Sequence, residues 1–280
     1  MRHSIQHLYK SSQPGNSILY AWFTAMHTRV DIILHDRKEE KELLDVIYRI
    51  EEVLRQLEKT GNCYDPDSEL AKINRIGALR PVKVSPSLYE MIELCLAYNT
   101  RTFGCFDIAV HSNPYGPDSI HSIGLSPDDQ SIYFKKQGTF INLSGFLKGY
   151  ALEKIRPVIQ ASDVENALVN MGNSSVLALG SDPGGDGWKI GFGNSPDSTA
   201  RPVEVCLHNE CLTTSGNDSN TRKHIISPHT NGLVEGERQL AVVTADGITG
   251  EVLSTSLFLA DNILREAMIR AFHLQTILEL

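Results

Sequence analysis

The spacing of apolar residues divides the first half of the chain into strands followed by helices. Residues 18–35, ILYAWFTAMHTRVDIILH, are rich in aromatic and β-branched side chains and predict one long strand or a strand pair. From Leu43 to Leu57, apolar residues recur at steps of three and four within a charged segment, which predicts an amphipathic helix. Gly61 follows that helix as a common helix-ending residue. A second helix is predicted from Ser85, with a proline in its first turn.

The second half of the chain is mostly strand. The segment SIYFKKQGTFINL predicts a hairpin that turns at Gln137 and Gly138, and a helix is predicted to begin near Ser144. Short apolar segments separated by polar or glycine turns then predict a series of strands, and a last helix is predicted over about residues 250–271. Strands, then helices, then mostly strands favour an α+β fold over alternating βαβ units.

No linker divides the chain into independent domains. We therefore expect residues 18–280 to form one domain of mixed or antiparallel sheets with flanking helices and a smaller N-terminal lobe. Residues 1–17 are polar and contain a Pro-Gly pair, which predicts a flexible arm.

Charge and hydropathy exclude several classes of protein. The 280 residues carry 26 basic and 34 acidic side chains, a net charge of −8, which argues against a general nucleic-acid-binding protein. No run of about 18 apolar residues is present, so no membrane span is expected. The first residues, MRHSIQHLYKSSQPGNS, contain no apolar core of a secretory signal, and we therefore expect a cytoplasmic protein.

The segment 141–151, INLSGFLKGYA, has the composition of an anion site. Asn142 ends an apolar segment, and Ser144 and Gly145 open the predicted helix. A helix start presents unpaired N–H groups and the positive end of the helix dipole, which suits a phosphate. Lys148 adds a cation one turn later, and Gly149 permits close approach of a ligand or of neighbouring backbone. The alternative is an ordinary strand-turn-helix whose glycines serve packing.

Three further segments carry candidate chemistry, each with a structural alternative. Glu251 and Thr255 are four residues apart, so a helix places both on one face as hard oxygen ligands for Mg²⁺ or Ca²⁺. The alternative is a helix-start glutamate with a threonine bonded to the helix backbone. His224, at the start of a short apolar run, is a candidate acid or base or else a structural histidine. Asp107 lies among apolar residues, where it binds a ligand or caps local backbone.

Eight blocks, in order, resemble the ApbE family of FAD:protein FMN transferases and span about residues 20–272. The blocks are 26–28 (MHT), 64–74 (YDPDSELAKIN), 106–110 (FDIAV), 142–151 (NLSGFLKGYA), 169–173 (VNMGN), 214–216 (TSG), 224–232 (HIISPHTNG) and 250–255 (GEVLST). The resemblance implies an enzyme that binds FAD and Mg²⁺. It implies transfer of FMN to a Ser or Thr hydroxyl of an acceptor flavoprotein, with release of AMP. Some family members instead hydrolyse FAD to FMN and AMP.

The resemblance also implies roles for individual residues, with Met26 and Tyr64 lining the pocket of the isoalloxazine ring. Gly145, through its carbonyl, Glu251 and Thr255 would hold Mg²⁺. His224 and Lys148 would be catalytic, with His224 assisting proton transfer from the acceptor hydroxyl. The other positions that would contact FAD are Thr28, Asp107, Asn142, Ser144, Lys148, Asn170, Met171, Gly172, Asn173 and Ile225.

Several positions depart from the family pattern. Asn142 and Ser227 stand where the family has aspartate, His27 replaces a glycine, and Glu251 replaces the aspartate of the metal site. Fewer carboxylates weaken cation binding. The alternatives to a transferase are therefore an FAD-binding carrier or regulatory protein with weakened catalysis, or an FAD pyrophosphatase. The sequence leaves the acceptor protein and the oligomeric state open.

Overall fold

A computed structural model describes residues 5–13, 16–192, 203–217, 225–236 and 238–279. In the described chain the helices are α1 (Glu40–Gly61), α2 (Glu69–Ile76), α3 (Pro86–Arg101), α4 (Leu147–Gln160), α5 (Gly247–Leu259) and α6 (Asn262–Ala271). The strands are β1 (Gln6–Gln13), β2 (Asn16–Ala25), β3 (Thr28–Asp36), β4 (Val82–Lys83), β5 (Ile123–Ser126), β6 (Ser131–Phe134), β7 (Asn166–Met171), β8 (Ser175–Leu179), β9 (Trp188–Phe192), β10 (Val203–Leu207), β11 (Cys211–Asn217), β12 (Arg238–Thr244) and β13 (Thr276–Glu279).

An eight-stranded sheet organises the molecule, in the order β1-β2-β3-β7-β8-β11-β12-β13. Every neighbouring pair in it is antiparallel. Strands β4, β6 and β5 form a second, small sheet, and β9 pairs with β10 in a hairpin. The α+β class with antiparallel sheets and flanking helices is confirmed. The N-terminal strands do not form a separate lobe, because they continue the same sheet as the C-terminal strands.

The two faces of this sheet are covered differently. Helices α1, α4 and α5 pack on one face, where α1 contributes the buried stripe that its apolar spacing predicts, from Leu43 to Leu57. The other face of β8, β11 and β12 is covered by the β9–β10 hairpin through a small apolar cluster that includes Val176, Trp188 and Leu212. No helix in the described part of the chain is both long and apolar enough to cross a membrane.

The predicted flexible arm is wrong where the structure describes it. Gln6–Gln13 is strand β1, paired with β2 at the edge of the main sheet. Its exposure alternates along the chain, because His7 and Tyr9 are half-buried and the residues between and beside them are exposed. The hydroxyl groups of Tyr9 and Ser17 form a 3.0 Å hydrogen bond, and His7 Nε2 lies 3.0 Å from Glu40 Oε1. The segment 18–35 is a strand pair, β2 and β3, rather than one long strand.

Two other predictions need correction. The hairpin at Gln137 and Gly138 does not form, because β6 pairs with β4 and β5 and residues 139–143 belong to no strand. The side chain of Asn74 takes the place of a strand partner: Ile141 donates its N–H to Oδ1 at 2.8 Å and accepts from Nδ2 at 2.9 Å. The last helix is two helices, α5 and α6, and Asp261 caps the second by accepting from the Leu264 N–H.

Candidate active site

A cavity of about 1230 Å³ lies beside the main sheet, at the end of β7, the start of β8 and the end of β11. The start of α4 and the middle of α5 line it as well. Its size exceeds what a drug-sized ligand needs. The structure brings most of the sequence-predicted site residues to its wall: Tyr64, Asp107, Asn142, Ser144, Gly145, Lys148, Asn170, Gly172, Asn173, Ile225, Glu251 and Thr255. Met26, Thr28 and Met171 are not part of that wall. His224 lies outside the described residues.

The turn before α4 is closed by Asn142. Its Oδ1 accepts the Ser144 N–H at 2.8 Å, and its Nδ2 donates to the Tyr64 hydroxyl at 3.2 Å. The helix begins at Leu147, later than predicted, because the Phe146 N–H first closes a tight turn onto the Leu143 carbonyl at 2.9 Å. The Ser144 N–H is therefore already used within the turn. The Leu147 N–H also bonds the Leu143 carbonyl at 2.9 Å, so the groups left for an anion are the Gly145 N–H and the Lys148 ammonium.

The central charged pair of the cavity joins α4 to α5. Lys148 Nζ lies 3.6 Å from Glu251 Oε1 and also hydrogen-bonds the Ser174 hydroxyl. Glu251 is only 7% exposed, and its Oε2 accepts from the Ser175 hydroxyl at 2.7 Å. A buried carboxylate with a cation and a hydroxyl donor beside it is held in one orientation.

A group of hydroxyls continues the wall from Glu251 along α5. Thr255 lies one turn after Glu251, as the spacing predicts, and its hydroxyl is 2.9 Å from that of Ser215 on β11. Ser215 also lies 2.8 Å from the Ser254 hydroxyl. Thr255 therefore presents its oxygen to the cavity from a position fixed by β11. Within the described ranges, no three His, Cys, Asp or Glu side chains come together as a metal-binding group.

Asp107 forms a second polar point on the wall. Its Oδ1 accepts the Ala109 N–H at 2.6 Å, and its Oδ2 accepts the Tyr115 hydroxyl at 2.8 Å. Burial raises the pKa of this carboxyl, against the lowering effect of the two hydrogen bonds and of His121. Asp107 thus caps local backbone and also lines the cavity, and its contact with a ligand stays a prediction.

Two residues predicted to contact FAD, Met171 and Thr28, lie behind the residues of the cavity wall. Met171 is fully buried and pairs with Val30 of β3, so its side chain belongs to the core. Thr28 packs under the β7–β8 turn, where a Cβ on Gly172 would lie 2.2 Å from its Oγ1. Gly172 also has a φ of +64°, so glycine is needed there on both counts. The turn is closed by Asn170, which exchanges hydrogen bonds with Asn173 at 2.9 Å.

Met26 and His27 form the tight turn between β2 and β3, with φ values of +52° and +57°. The Met26 N–H donates to Glu58 at 3.2 Å, and the Met26 side chain packs against the main core. His27 Nε2 lies 3.1 Å from the Asn62 side-chain amide, whose Oδ1 accepts the Tyr64 N–H at 3.0 Å. The turn is thereby linked to Tyr64, whose side chain is 68% exposed at the mouth of the cavity.

The sequence interpretation missed several residues that shape the site. Ser175 and Tyr115 orient the two carboxylates, and Ser215 holds Thr255. Asn217 and Arg238, paired across β11 and β12, also line the cavity. Ser215 belongs to the TSG block, which marked its neighbourhood. The others carry no local signal, because each acts through a partner distant in sequence.

The fold agrees with the comparisons. The model of the ApbE family matches residues 26–113 and 117–278, so the chain belongs to the ApbE family. An FAD:protein FMN transferase of Klebsiella pneumoniae (strain 342) is 23% identical over 254 residues, which cover 80% of this chain and 76% of that protein. The FAD:protein FMN transferase of Chlamydia trachomatis is 25% identical over 214 residues, covering 66% of this chain and 65% of that protein.

Solved structures share the fold. The flavin transferase ApbE from Vibrio cholerae superposes with a TM-score of 0.79 at 18% identity, covering 99% of this chain and 93% of that chain. The ApbE protein from Thermotoga maritima gives a TM-score of 0.75 at 21% identity, covering 94% of this chain and 90% of that chain.

Proposed function

We propose that this protein is an FAD:protein FMN transferase that moves FMN from FAD to a Ser or Thr hydroxyl of an acceptor flavoprotein and releases AMP. The single observation that carries the proposal is the meeting of Lys148, Glu251 and Thr255 with Tyr64 and Asp107 in one cavity. These five residues come from four separate blocks of the family pattern. The cavity wall combines the aromatic ring of Tyr64 with the charged pair Lys148 and Glu251, which suits a flavin nucleotide.

The proposed reaction is a substitution at phosphorus. The acceptor hydroxyl loses its proton, its oxygen bonds to the phosphorus of the FMN half, and the bridging P–O bond breaks with AMP as the leaving group. Such reactions depend mainly on positioning and on neutralising phosphate charge. In this chain Lys148 supplies a fixed cation, and Asn142 with Tyr64 shapes the cavity beside it. His224 is the proposed acceptor of the hydroxyl proton.

The donor set of the cavity fits Mg²⁺ bound together with substrate phosphates. Mg²⁺ in phosphate sites is usually held by one or two carboxylates, with waters and phosphate oxygens filling the remaining positions. Glu251 supplies one carboxylate, Thr255 a hydroxyl and Gly145 a backbone carbonyl, and all three residues line the same cavity. When bound, the ion would neutralise charge on the pyrophosphate. Because Glu251 is the one carboxylate among these three ligands, we expect a higher Mg²⁺ requirement than a two-carboxylate site would have.

The test is incubation of the protein with FAD, Mg²⁺ and fragments of candidate acceptor flavoproteins. Transfer gives covalent flavin fluorescence on the fragment and one AMP for each flavin attached. Thr255→Ala should remove both signals. Ser256→Ala is the matched control, because the Ser256 hydroxyl bonds the Val252 carbonyl at 2.7 Å and does not line the cavity. The proposal fails if no fragment is labelled and no AMP is formed.

A second function, FAD binding without turnover, is favoured by one observation. Both oxygens of Glu251 already have partners in Lys148 and Ser175, so the carboxylate is satisfied within the protein itself. An FAD-binding protein of this kind would bind FAD equally well with Mg²⁺ and with EDTA, and would release no AMP. FAD hydrolysis is distinguished from both functions by AMP release with free FMN and no labelled acceptor.

A further inference from the structure

Three buried side-chain atoms in the described chain have no hydrogen-bond partner. They are His35 Nδ1, Thr213 Oγ1 and Asn217 Oδ1. Buried polar atoms are nearly always bonded, so an unpartnered one signals a missing ligand or a structural cost. Of these residues, Asn217 alone lines the cavity. Its side chain is therefore the candidate for a bond that a ligand completes.

The orientation of the Asn217 amide is fixed by its own donors. Nδ2 donates to the Val234 carbonyl at 2.9 Å and to the Gly236 carbonyl at 3.2 Å. Two carbonyl acceptors require the NH₂ group on that side, so the assignment of oxygen and nitrogen follows from the bonding. The residue is 1% exposed, and Oδ1 keeps its full capacity to accept. The missing partner must therefore be a donor, an O–H or N–H group.

The position of Asn217 along β11 narrows the identity of that donor. Asn217 ends the strand, two residues beyond Ser215 and on the same face. Ser215 holds the Thr255 hydroxyl at 2.9 Å. At a rise of about 3.3 Å per residue, Asn217 lies roughly 7 Å further along the strand than Ser215. Asn217 thus lies next to, and not within, the Lys148, Glu251 and Thr255 group proposed to hold the pyrophosphate, and its neutral oxygen suits an uncharged donor there.

We propose that Asn217 is a further binding residue, whose Oδ1 accepts a hydrogen bond from a sugar hydroxyl of bound FAD next to the pyrophosphate. Both sugar chains of FAD, the ribityl chain and the ribose, flank the pyrophosphate and carry hydroxyl donors. Asn217 thus links the ligand to the segment 225–236 that it clamps, which also contributes Ile225 to the wall. The inference rests on FAD being the ligand of this cavity.

The experiment compares FAD, FMN and ADP as ligands of the wild type and of Asn217→Ala, by fluorescence titration for the flavins and by competition for ADP. FMN carries the ribityl hydroxyls and ADP carries the ribose hydroxyls. Comparing the two ligands therefore identifies which sugar donates the hydrogen bond to Asn217. We expect Asn217→Ala to bind FAD about tenfold more weakly. We expect the same loss for one of the two half-ligands and no change for the other.

Thr213→Val is the matched control. Thr213 lies on the same strand and face, and its hydroxyl is also unpartnered, but the residue does not line the cavity. Its substitution should leave all three affinities unchanged. Asn217→Ser is the second variant, because its hydroxyl can still donate to the Val234 carbonyl and preserve part of the clamp. It should show the same half-ligand selectivity as Asn217→Ala.

Two results would overturn the inference while leaving the proposed function intact. One is unchanged FAD affinity in Asn217→Ala. The other is an equal loss for FMN and ADP that follows the fall in melting temperature, which would make Asn217 only a structural clamp of 225–236. A wild-type protein that binds no FAD at all would overturn both the inference and the proposed function.

Discussion

Lys148 and Glu251 meet at 3.6 Å because α4 and α5 cross at glycine. A Cβ on Gly149 would lie 2.3 Å from the Gly247 carbonyl oxygen and 2.8 Å from the Glu251 Cβ. Because neither Gly149 nor Gly247 has a side chain, the two helix backbones can touch. Gly149 therefore serves close approach of a neighbouring backbone, one of the two roles open to it from the sequence.

Gly149→Ala should separate these helices and displace Glu251. We expect a loss of roughly 1–3 kcal/mol in the free energy of unfolding, the usual cost of overpacking, measured by urea denaturation. Gly116→Ala is the control, since no atom lies within 4 Å of a Cβ at that position. Equal stability of the two variants would contradict the tight helix contact.

Glu251→Gln should destabilise the protein by about 2 kcal/mol, because it leaves the Lys148 ammonium partly buried without its carboxylate. The side chain of Lys148 is 23% exposed and that of Glu251 9%. Glu266→Gln is the control, since its pair with Arg270 at 3.2 Å is more than two-thirds exposed on both sides. That change should cost less than about 1 kcal/mol in the same urea unfolding measurement.

Asp107→Asn should change how stability depends on pH. Burial raises the pKa of Asp107 above its usual value of 3.8, so the folded state binds its proton more tightly than the unfolded chain does. The wild type therefore loses stability as pH rises from the unfolded pKa through the folded pKa. Relative to the wild type, Asp107→Asn should gain stability between about pH 4 and pH 7, measured by urea unfolding. A pH-independent difference between the two proteins would contradict this origin.

The thiols should differ strongly in reactivity. Burial, with a smaller effect of Asp261, raises the pKa of Cys105 to about 11, so about 0.1% is thiolate at about pH 8. Cys206 is exposed. Iodoacetamide should alkylate Cys206 at least about a hundredfold faster than Cys105, as followed by peptide mass spectrometry. Comparable rates would contradict the burial of the Cys105 thiol.

The sequence anticipated local structure where one face of an element is buried. The periodic apolar residues of α1 predicted its buried stripe, and the Glu251 and Thr255 spacing placed both on one face of α5. It failed at β1, where polar residues form an edge strand, and at residues 139–143, where Asn74 replaces a strand partner. Periodicity reports which face is buried and not which segment satisfies the backbone.

The sequence by itself determined the α+β class and family resemblance, and most of the site residues that it marked line the cavity. Only the tertiary structure decided their partners. In the folded protein Lys148 pairs with Glu251, and the Ser175 hydroxyl donates to the same carboxylate. The Oδ1 atom of Asn217 has no hydrogen-bond partner. The physical reason is that hydrogen bonds and ion pairs between distant segments depend on how strands and helices are arranged in space. Local spacing carries no record of that arrangement.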